Sequence, residues 1–325
     1  MAEAITPPDG EVEVRAFVTD SLGVAPERLW RLSESIGFSR IIWFADVAGR
    51  TYVVRYDNGL GPFSLIPSKT LGHEGRLIDR LHKCGLAVPR VYAVSERAIL
   101  MEPLAGSADF SKAGAARGAL IDAHALVLAQ LHALPVEEVM PQHEGGSLPG
   151  DLGEYVATYR AHCTPVPVLE EALRWLAANA PPPPERAVIV HGDAGPGNFM
   201  FEGDRFTGLI DWEMSHVGDP MADYAAIYFR CYVRGGAGDL ADWYAPVLRA
   251  TGQTYDAAKI EYFRLAQFWK AAMMTEMFRN NRPDIDPKLF ENPMRRVAAG
   301  LAAVSGDPAP LGEMGFPAIP QTIAF

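Results

Sequence analysis

Cysteine is scarce in this chain of 325 residues. Its three cysteines, Cys84, Cys163 and Cys231, lie far apart and lack the spacing of metal ligands. Disulfide frameworks and zinc sites need clustered or regularly spaced cysteines. The sequence therefore predicts neither, and it favours the reducing cytoplasm as the location of the protein.

Long apolar runs and clusters of positive charge are also lacking. No stretch approaches the ~18 uninterrupted apolar residues of a membrane span, and residues 1–15 do not have the basic and apolar parts of a secretion signal. The formal net charge is −11, which argues against a nucleic acid as partner. We therefore expect no membrane segment and no nucleic-acid partner.

The most informative segment is residues 190–199, with the sequence VHGDAGPGNF. Asp193 precedes Asn198 by five residues, which is the spacing between the catalytic aspartate and a metal-binding asparagine in kinases. Strands are predicted at residues 188–190, which lead into this loop, and at residues 206–210, and Asp211 follows the second strand. Both acids would then project from strand ends. The simpler alternative is an Asx turn that joins two strands.

These residue types suit phosphoryl transfer. A carboxylate can orient a hydroxyl nucleophile, and hard oxygen donors can hold Mg²⁺ on the phosphates. Asp193 fits the role of catalytic base, while Asn198 and Asp211 fit the roles of metal ligands. The sequence therefore predicts a transfer of phosphate from ATP to the hydroxyl group of a small-molecule acceptor, with Mg²⁺ as cofactor.

An ion pair is predicted in the first third of the chain. A helix is expected from Ser68, as its N-cap, to Gly85, and Glu74 falls on the apolar face of that helix. A carboxylate that faces a core needs a partner, and the predicted strand 51–55 offers Arg55. In kinases a strand lysine binds phosphates and pairs with a helix glutamate. An ordinary salt bridge is the alternative.

Together these motifs resemble the aminoglycoside phosphotransferase family, or choline-kinase-like group, of the protein-kinase-like fold. The family carries HGD-x4-N followed by IDW or IDF, as residues 191–198 and 210–212 do here. Residues 218–225, GDPMADYA, resemble a further family element. By this resemblance Asp219 and Asp223 brace the catalytic loop, and His191 supports it. Taken alone, the element would be a helix N-terminus with capping acids.

One branch of the family has a closer likeness. Arg55 and the stretch from Leu65 to Glu74 resemble the kinase-like domains of acyl-CoA dehydrogenase family members 10 and 11. That branch commonly has arginine where other members have lysine. Arginine and lysine are not equivalent in shape, so a nucleotide-binding pseudokinase without transfer activity is kept as an alternative.

The resemblance implies an α+β, bilobal protein-kinase-like fold. A small antiparallel-sheet N-terminal lobe with one key helix would bind the nucleotide at residues 1–101, and a hinge would occupy residues 102–106. A mainly helical C-terminal lobe, with the catalytic loop and the acceptor site, would occupy residues 107–325. A hydrophobic fraction of 49% supports cores of this size.

The remaining ATP contacts also come from the resemblance. The turn before Arg40 would lay backbone N–H groups over phosphates through Gly37 and Ser39, although a plain hairpin turn explains it as well. After predicted strands at residues 91–94 and 98–101, the Glu102 carbonyl and the Leu104 N–H would face adenine. Met101 would lie behind the base.

The acceptor is left open by the sequence. Residues 257–280 hold more aromatic and methionine side chains than one core stripe needs, so part of this helix could line a pocket for an apolar or acyl-bearing alcohol. Glu213, Asp219 and Asp223 could instead attract a cationic aminosugar, and an aminoglycoside-type antibiotic kinase stays a second candidate.

A metal-dependent hydrolase using His191, Asp193 and Asp211 is the third, although hydrolases more often show several histidine ligands.

Three further expectations concern structure. His124 and His132 are expected to be structural histidines on a helix, since no acid or nucleophile motif accompanies either. The tail from Gly306 to Phe325 is rich in proline and glycine and is predicted to be an extended surface strap. The sequence contains no signal for an oligomeric state.

Overall fold

A computed structural model describes residues 10–31, 40–141, 149–233, 238–281, 288 and 291–324. The predicted phosphate-turn residues Gly37 and Ser39 lie outside the described residues. The chain forms two compact units, Met1–Leu104 and Ala105–Phe325. Among the described helices, none combines the length and apolarity needed to cross a bilayer.

The first unit is built on a five-stranded antiparallel sheet with the strand order β1-β2-β3-β5-β4. In β2 buried residues alternate with partly exposed ones, as expected for a sheet covered on one face. Helix α1 contributes Val14 and Val18 to the core against this sheet. The strands are β1 Arg28–Arg31, β2 Ile41–Val47, β3 Arg50–Tyr56, β4 Val91–Val94 and β5 Ala98–Met101, and α1 is Glu11–Leu22.

The second helix of this unit, α2, spans Leu71–Lys83 and begins later than predicted. The Thr70 side chain, not Ser68, accepts the capping hydrogen bond from the His73 N–H. Ser68 is not the cap because Pro67–Lys69 form a short 3-10 helix that precedes α2. The buried face of α2 includes Glu74. Gly85 lies just beyond the helix with a φ of 80°, which glycine adopts without strain.

The second unit is mainly helical, with two small antiparallel sheets. Strand β6 (Val188–Val190) pairs with β9 (His216–Gly218), and β7 (Phe199–Glu202) pairs with β8 (Arg205–Leu209). The helices are α3 Arg117–Ala133, α4 Val136–Val139, α5 Leu152–His162, α6 Pro167–Ala178, α7 Met221–Tyr232, α8 Leu240–Thr251, α9 Ala257–Asn281, α10 Glu291–Val304 and α11 Ala309–Glu313.

The core of the second unit is organised around α9. This helix packs against α5, α6, α7 and α10. Trp269 is fully buried, and its indole N–H donates to the Leu169 carbonyl at 3.1 Å. Most of the aromatic and methionine side chains of α9 are core residues, namely Tyr262, Phe263, Phe268, Trp269, Met273 and Met277. Core packing therefore accounts for most of the apolar surface of α9.

The C-terminal tail differs from the predicted extended surface strap. It contains α11 and buries Leu311, Phe316 and Ile319. The Tyr228 hydroxyl donates to the Pro317 carbonyl at 2.8 Å. The proline and glycine content indicated a loop, but burial of the spaced apolar side chains stabilises a packed segment instead.

His124, on α3, is fully buried between aromatic rings. Its ring centroid lies 5.4 Å from that of Phe199 and 5.6 Å from that of Trp243. Within the described part of the chain, neither ring nitrogen has a hydrogen-bond partner. Burial lowers the pKa of His124 to about 3, so the ring is neutral in the folded protein over the ordinary pH range.

We expect the free energy of unfolding to fall as the pH drops below about 6.5. The unfolded chain binds a proton at His124 near that pH, whereas the folded chain resists protonation down to about pH 3. This difference costs up to about 1.4 kcal/mol per pH unit in between. Denaturant titrations at several pH values should show a shallower pH slope for His124→Leu than for the wild type. The matched control is His162→Leu, which makes the same substitution at an exposed histidine. Equal slopes for His124→Leu and the wild type would contradict the prediction.

Candidate active site

The loop between β6 and β7 carries the predicted catalytic residues. Its three glycines adopt conformations that other residues rarely take, with φ of 80° at Gly192, 129° at Gly195 and 91° at Gly197. A Cβ atom at Gly192 would also lie 2.2 Å from the Met214 carbonyl oxygen. Glycine is therefore required at position 192 both for its backbone conformation and for close packing.

Asp223, in the first turn of α7, holds the start of this loop. Its Oδ1 accepts from the Gly192 N–H at 2.8 Å, and its Oδ2 accepts from the His191 N–H at 3.1 Å. The His132 Nε2 lies 2.9 Å from the same Oδ2. Complete burial alone would raise the pKa of Asp223, but the hydrogen bond and charge of His132, with the loop donors, lower it below its ordinary value. An ionised carboxylate thus joins the loop to α3 and α7.

Asp219, the other acid of the GDP element, has different partners. Its Oδ1 accepts from the Met221 N–H at 2.9 Å, at the start of α7. Its Oδ2 lies 2.6 Å from the Nζ of Lys259 on α9. The structure therefore places Asp223 against the catalytic loop, whereas Asp219 connects two helices.

His191 links the two strand ends that carry the acids. Its Nε2 lies 3.1 Å from the Ile210 carbonyl oxygen, and its Nδ1 accepts from the Asp193 N–H at 3.3 Å. A carbonyl oxygen only accepts, so Nε2 carries the ring proton. Burial lowers the pKa of His191, which keeps the ring neutral, and the ring packs on Trp212 with 4.5 Å between centroids.

Asp193 and Asn198 are in direct contact. The Asn198 Nδ2 donates to the Asp193 carbonyl at 2.8 Å and to the Asp193 Oδ2 at 2.6 Å. Because the amide nitrogen makes both bonds, the amide oxygen of Asn198 is directed elsewhere, and it has no hydrogen bond within the described residues. Burial raises the pKa of Asp193, and the nearby charge of Arg230 opposes this effect.

Asp211 lies two residues after β8 with a φ of 70°. A residue with a Cβ atom pays for this left-handed conformation with strain, which proteins retain mainly at functional sites. The Ile210 N–H donates to the Asn198 carbonyl at 3.0 Å. This hydrogen bond holds the segment that carries Asp211 next to Asn198. The negative charge of Asp211 also raises the pKa of Asp193. The second unit thus brings Asp193, Asn198 and Asp211 into one neighbourhood.

The first unit contains the predicted pair on its sheet and helix. The Arg55 Nη1 lies 3.1 Å from the Glu74 Oε1, and both side chains are largely buried. Arg40 is buried as well, with its Nη1 3.0 Å from the Asp57 Oδ2 and its Nη2 donating to the Lys69 carbonyl. The Arg55–Glu74 pair thus joins β3 to α2, while Arg40 ties the residues at the ends of β2 and β3 to the segment that leads into α2.

The predicted hinge residues follow β5. Met101 ends the strand and is buried. Glu102 uses its N–H and its Oε1 to bind the backbone of Arg90, both at 2.9 Å. Among the residues that the structure describes, neither the Glu102 carbonyl nor the Leu104 N–H makes a hydrogen bond.

Two contacts to the catalytic loop were not predicted. The Arg230 Nη1, on α7, lies 3.3 Å from the Asp193 Oδ2. The Gln267 Nε2, on α9, donates to the Gly192 carbonyl at 3.1 Å. Arg230 follows Asp223 by seven residues, which places both on one face of a helix, so the spacing offered a signal. No local pattern marks Gln267.

A small pocket adjoins the loop at Gly192. It is lined mainly by apolar side chains, together with Gln267, His216 and Lys270. The Lys270 Nζ forms an ion pair with Asp151. The apolar lining residues are Pro149, Leu152, Ala222, Phe263 and Ala266.

An acid and an amide thus lie on a loop braced by a buried carboxylate, and the second acid, Asp211, follows β8 nearby. A sequence profile of the phosphotransferase enzyme family (APH) matches residues 35–260. The chain therefore belongs to this family, and the resemblance drawn from its motifs is confirmed.

Particular relatives agree with this assignment. Acyl-CoA dehydrogenase family member 11 of Gallus gallus is 28% identical over 211 residues, which cover 59% of this chain and 26% of that protein. The chain spans about a quarter of the length of such curated relatives.

Solved structures share the fold. A thermostable mutant of aminoglycoside phosphotransferase APH(4)-Ia, in ternary complex with ADP and hygromycin B, is similar with a TM-score of 0.64 and 18% identity, covering 90% of this chain and 99% of that one. Choline kinase LicA from Streptococcus pneumoniae has a TM-score of 0.63 and 16% identity, with the same coverage of 90% and 99%. The α+β protein-kinase-like fold is thereby confirmed.

We expect Asp223→Asn to destabilise the protein more than Asp219→Asn does. An amide at position 223 turns a donor toward backbone N–H groups, and a buried donor without an acceptor costs about 1–3 kcal/mol. An amide at position 219 keeps the acceptor for the Met221 N–H, and its donor faces only Lys259, whose side chain is 20% exposed and can turn to solvent. Denaturant unfolding of both variants gives the comparison, and an equal loss of stability would show that Asp223 is not the main brace.

Proposed function

We propose that the chain transfers a phosphoryl group from ATP to a hydroxyl group of a small molecule, in a Mg²⁺-dependent reaction. The environment of Asp193 carries this proposal. Both hydrogen-bond donors on its carboxylate reach Oδ2. Within the described residues Oδ1 accepts no hydrogen bond, and the side chain is 14% exposed. Asp193 can therefore orient an acceptor hydroxyl through Oδ1 and accept its proton.

The residues nearby suit Mg²⁺. This ion prefers hard oxygen donors in octahedral geometry and keeps several waters. The amide oxygen of Asn198 and the carboxylate of Asp211 are such donors, and the two acids Asp193 and Asp211 interact as like charges, which a cation would relieve. When bound, the metal would neutralise charge on the phosphates.

The first unit supports binding of the nucleotide. In the kinase template a strand cation paired with a helix glutamate binds the α- and β-phosphates, and Arg55 with Glu74 fits that arrangement. The Glu102 carbonyl and the Leu104 N–H would bind adenine, beside Met101. APH(4)-Ia in complex with ADP supports ATP as the donor. The roles of Gly37 and Ser39 at the phosphates stay predictions.

The acceptor is proposed to be an apolar or acyl-bearing alcohol. The pocket at Gly192 has apolar side chains on part of its lining, and no described lining residue is acidic. Two of the three acids expected to attract an aminosugar are committed elsewhere, since Asp219 pairs with Lys259 and Asp223 binds His132 and the loop. The likeness to acyl-CoA dehydrogenase family member 11 favours an acyl-bearing acceptor as well.

The hydrolase alternative is weakened by His191. A metal ligand needs a free lone pair on a ring nitrogen. The Nε2 of His191 donates to the Ile210 carbonyl, and its Nδ1 accepts from the Asp193 N–H. Neither nitrogen is available to a metal in this arrangement.

Asp193→Asn should abolish transfer and leave nucleotide affinity nearly unchanged. Loss of a general base typically lowers the rate by about 10²–10⁴, whereas Asp193 makes no contact that the nucleotide requires in this proposal. Turnover assays and calorimetry with ATP measure the two effects. Asp204→Asn, in the exposed β7–β8 turn, is the matched control. Turnover near the wild-type rate in Asp193→Asn would remove this residue from the role of base.

Asn198→Ala and Asp211→Ala should each weaken binding of ATP in the presence of Mg²⁺. Each variant loses one oxygen donor to the metal, so the difference in affinity with and without Mg²⁺ should shrink. Calorimetry in the two conditions measures it. Metal-independent binding of equal affinity in wild type and variants would favour the pseudokinase alternative.

Hydroxylated compounds with apolar or acyl portions should have higher kcat/KM than aminosugars. Each buried methylene contributes roughly 0.8 kcal/mol, and none of the described residues that line the pocket at Gly192 is a carboxylate. Steady-state kinetics with both classes at two salt concentrations test this. Efficient, salt-sensitive phosphorylation of kanamycin-like aminosugars would restore the antibiotic kinase as the leading function.

A further inference from the structure

Arg230 contacts the catalytic loop at two points. Its Nε donates to the Pro196 carbonyl at 2.9 Å, and its Nη1 lies 3.3 Å from the Asp193 Oδ2. The side chain is only 13% exposed. One planar guanidinium therefore connects the middle of the loop to the carboxylate at its start, which a lysine ammonium cannot reproduce with the same geometry.

The loop follows the surface of this arginine closely. A Cβ atom at Gly197 would lie 2.4 Å from the Arg230 Nη2, and one at Gly195 would lie 3.0 Å from the Arg230 Cβ. Both glycines have positive φ, 129° at Gly195 and 91° at Gly197. The loop can approach α7 this closely only because these positions lack side chains.

The contacts hold one of the two carboxylate oxygens of Asp193. Asn198 Nδ2, within the loop, and Arg230 Nη1, on α7, both reach Oδ2. With Asn198 alone, the carboxylate would be held only by a residue of the same loop. Arg230 adds an anchor on a helix that Asp223 already fixes to the loop seven residues earlier.

We propose that Arg230 is a positioning residue for phosphoryl transfer: it holds Asp193 so that Oδ1 faces the acceptor hydroxyl. The proposal rests on the role proposed for Asp193. Arg230 acts through that carboxylate and makes no contribution to nucleotide affinity. A helix of the second unit thereby controls the orientation of the base.

A double-mutant cycle tests this. Turnover of Mg²⁺-ATP is measured with water and with glycerol as simple hydroxyl probes, in wild type, Arg230→Ala, Asp193→Asn and the double variant. We expect Arg230→Ala to lower kcat about 10²-fold, the effect of a small misplacement of a catalytic group, with unchanged affinity for ATP by calorimetry. In the Asp193→Asn background the same change should lower kcat no further, because residues that act through one another are not additive.

Chemical rescue distinguishes a positioning role of Arg230 from a purely structural one. Added guanidinium at concentrations below those that unfold the protein should restore part of the kcat of Arg230→Ala, whereas equal ionic strength from sodium chloride should not. Arg230→Lys should remain impaired, since one ammonium cannot satisfy both acceptors. Arg249→Ala, at an exposed arginine of α8, is the matched control. Arg230→Met, which keeps the apolar stem, replaces the alanine variant if that variant does not fold.

The outcomes separate the two proposals. An active wild type with full kcat in Arg230→Ala, or with fully additive losses in the double variant, overturns the role of Arg230 and leaves the proposed function intact. A wild type without ATP turnover on any alcohol overturns the proposed function. Without turnover, the role of Arg230 is tested by a crystal structure of Arg230→Ala. If Asp193 and residues 195–197 keep their positions in that variant, Arg230 does not position the base.

Discussion

The site depends on a buried carboxylate that must have all of its donors. Asp223 is completely enclosed, and a charge in such a position is tolerated only when hydrogen bonds replace its water. Two of the donors are consecutive backbone N–H groups of the catalytic loop, and the third is His132 on α3. The loop conformation is therefore tied to the stability of the core, because releasing the loop would leave a buried charge without partners.

Burial assigns different protonation states to neighbouring groups. His191 and His124 have lowered pKa values because burial disfavours their charged form, whereas Asp223 stays ionised because its donors outweigh burial. A neutral His191 can donate through one nitrogen and accept through the other, which holds the segments of Asp193 and Asp211 side by side. The same environment raises the pKa of Asp193, which makes its carboxylate a stronger base.

The two units contribute different parts of the proposed chemistry. The first unit has its own buried ion pairs, with Arg55 on Glu74 and Arg40 on Asp57. The second unit holds the loop, the candidate metal donors and the small pocket next to Gly192. Membership of the phosphotransferase family accounts for the motifs they share with known kinases.

The sequence by itself determined the features that depend on neighbouring residues. The bounds predicted for β4, β5 and β6 agree with the structure, and the spacing from Asp193 to Asn198 was enough to bring these two residues into contact. The sequence also predicted the pairing of Glu74 with Arg55, because an acid on an apolar stripe requires a cation nearby. Only the tertiary structure decided that Arg230 reaches Asp193 and that Lys259 binds Asp219. It also decided that the tail is packed. Those contacts join residues dozens of positions apart, and they depend on how helices pack, which no local pattern of side chains specifies.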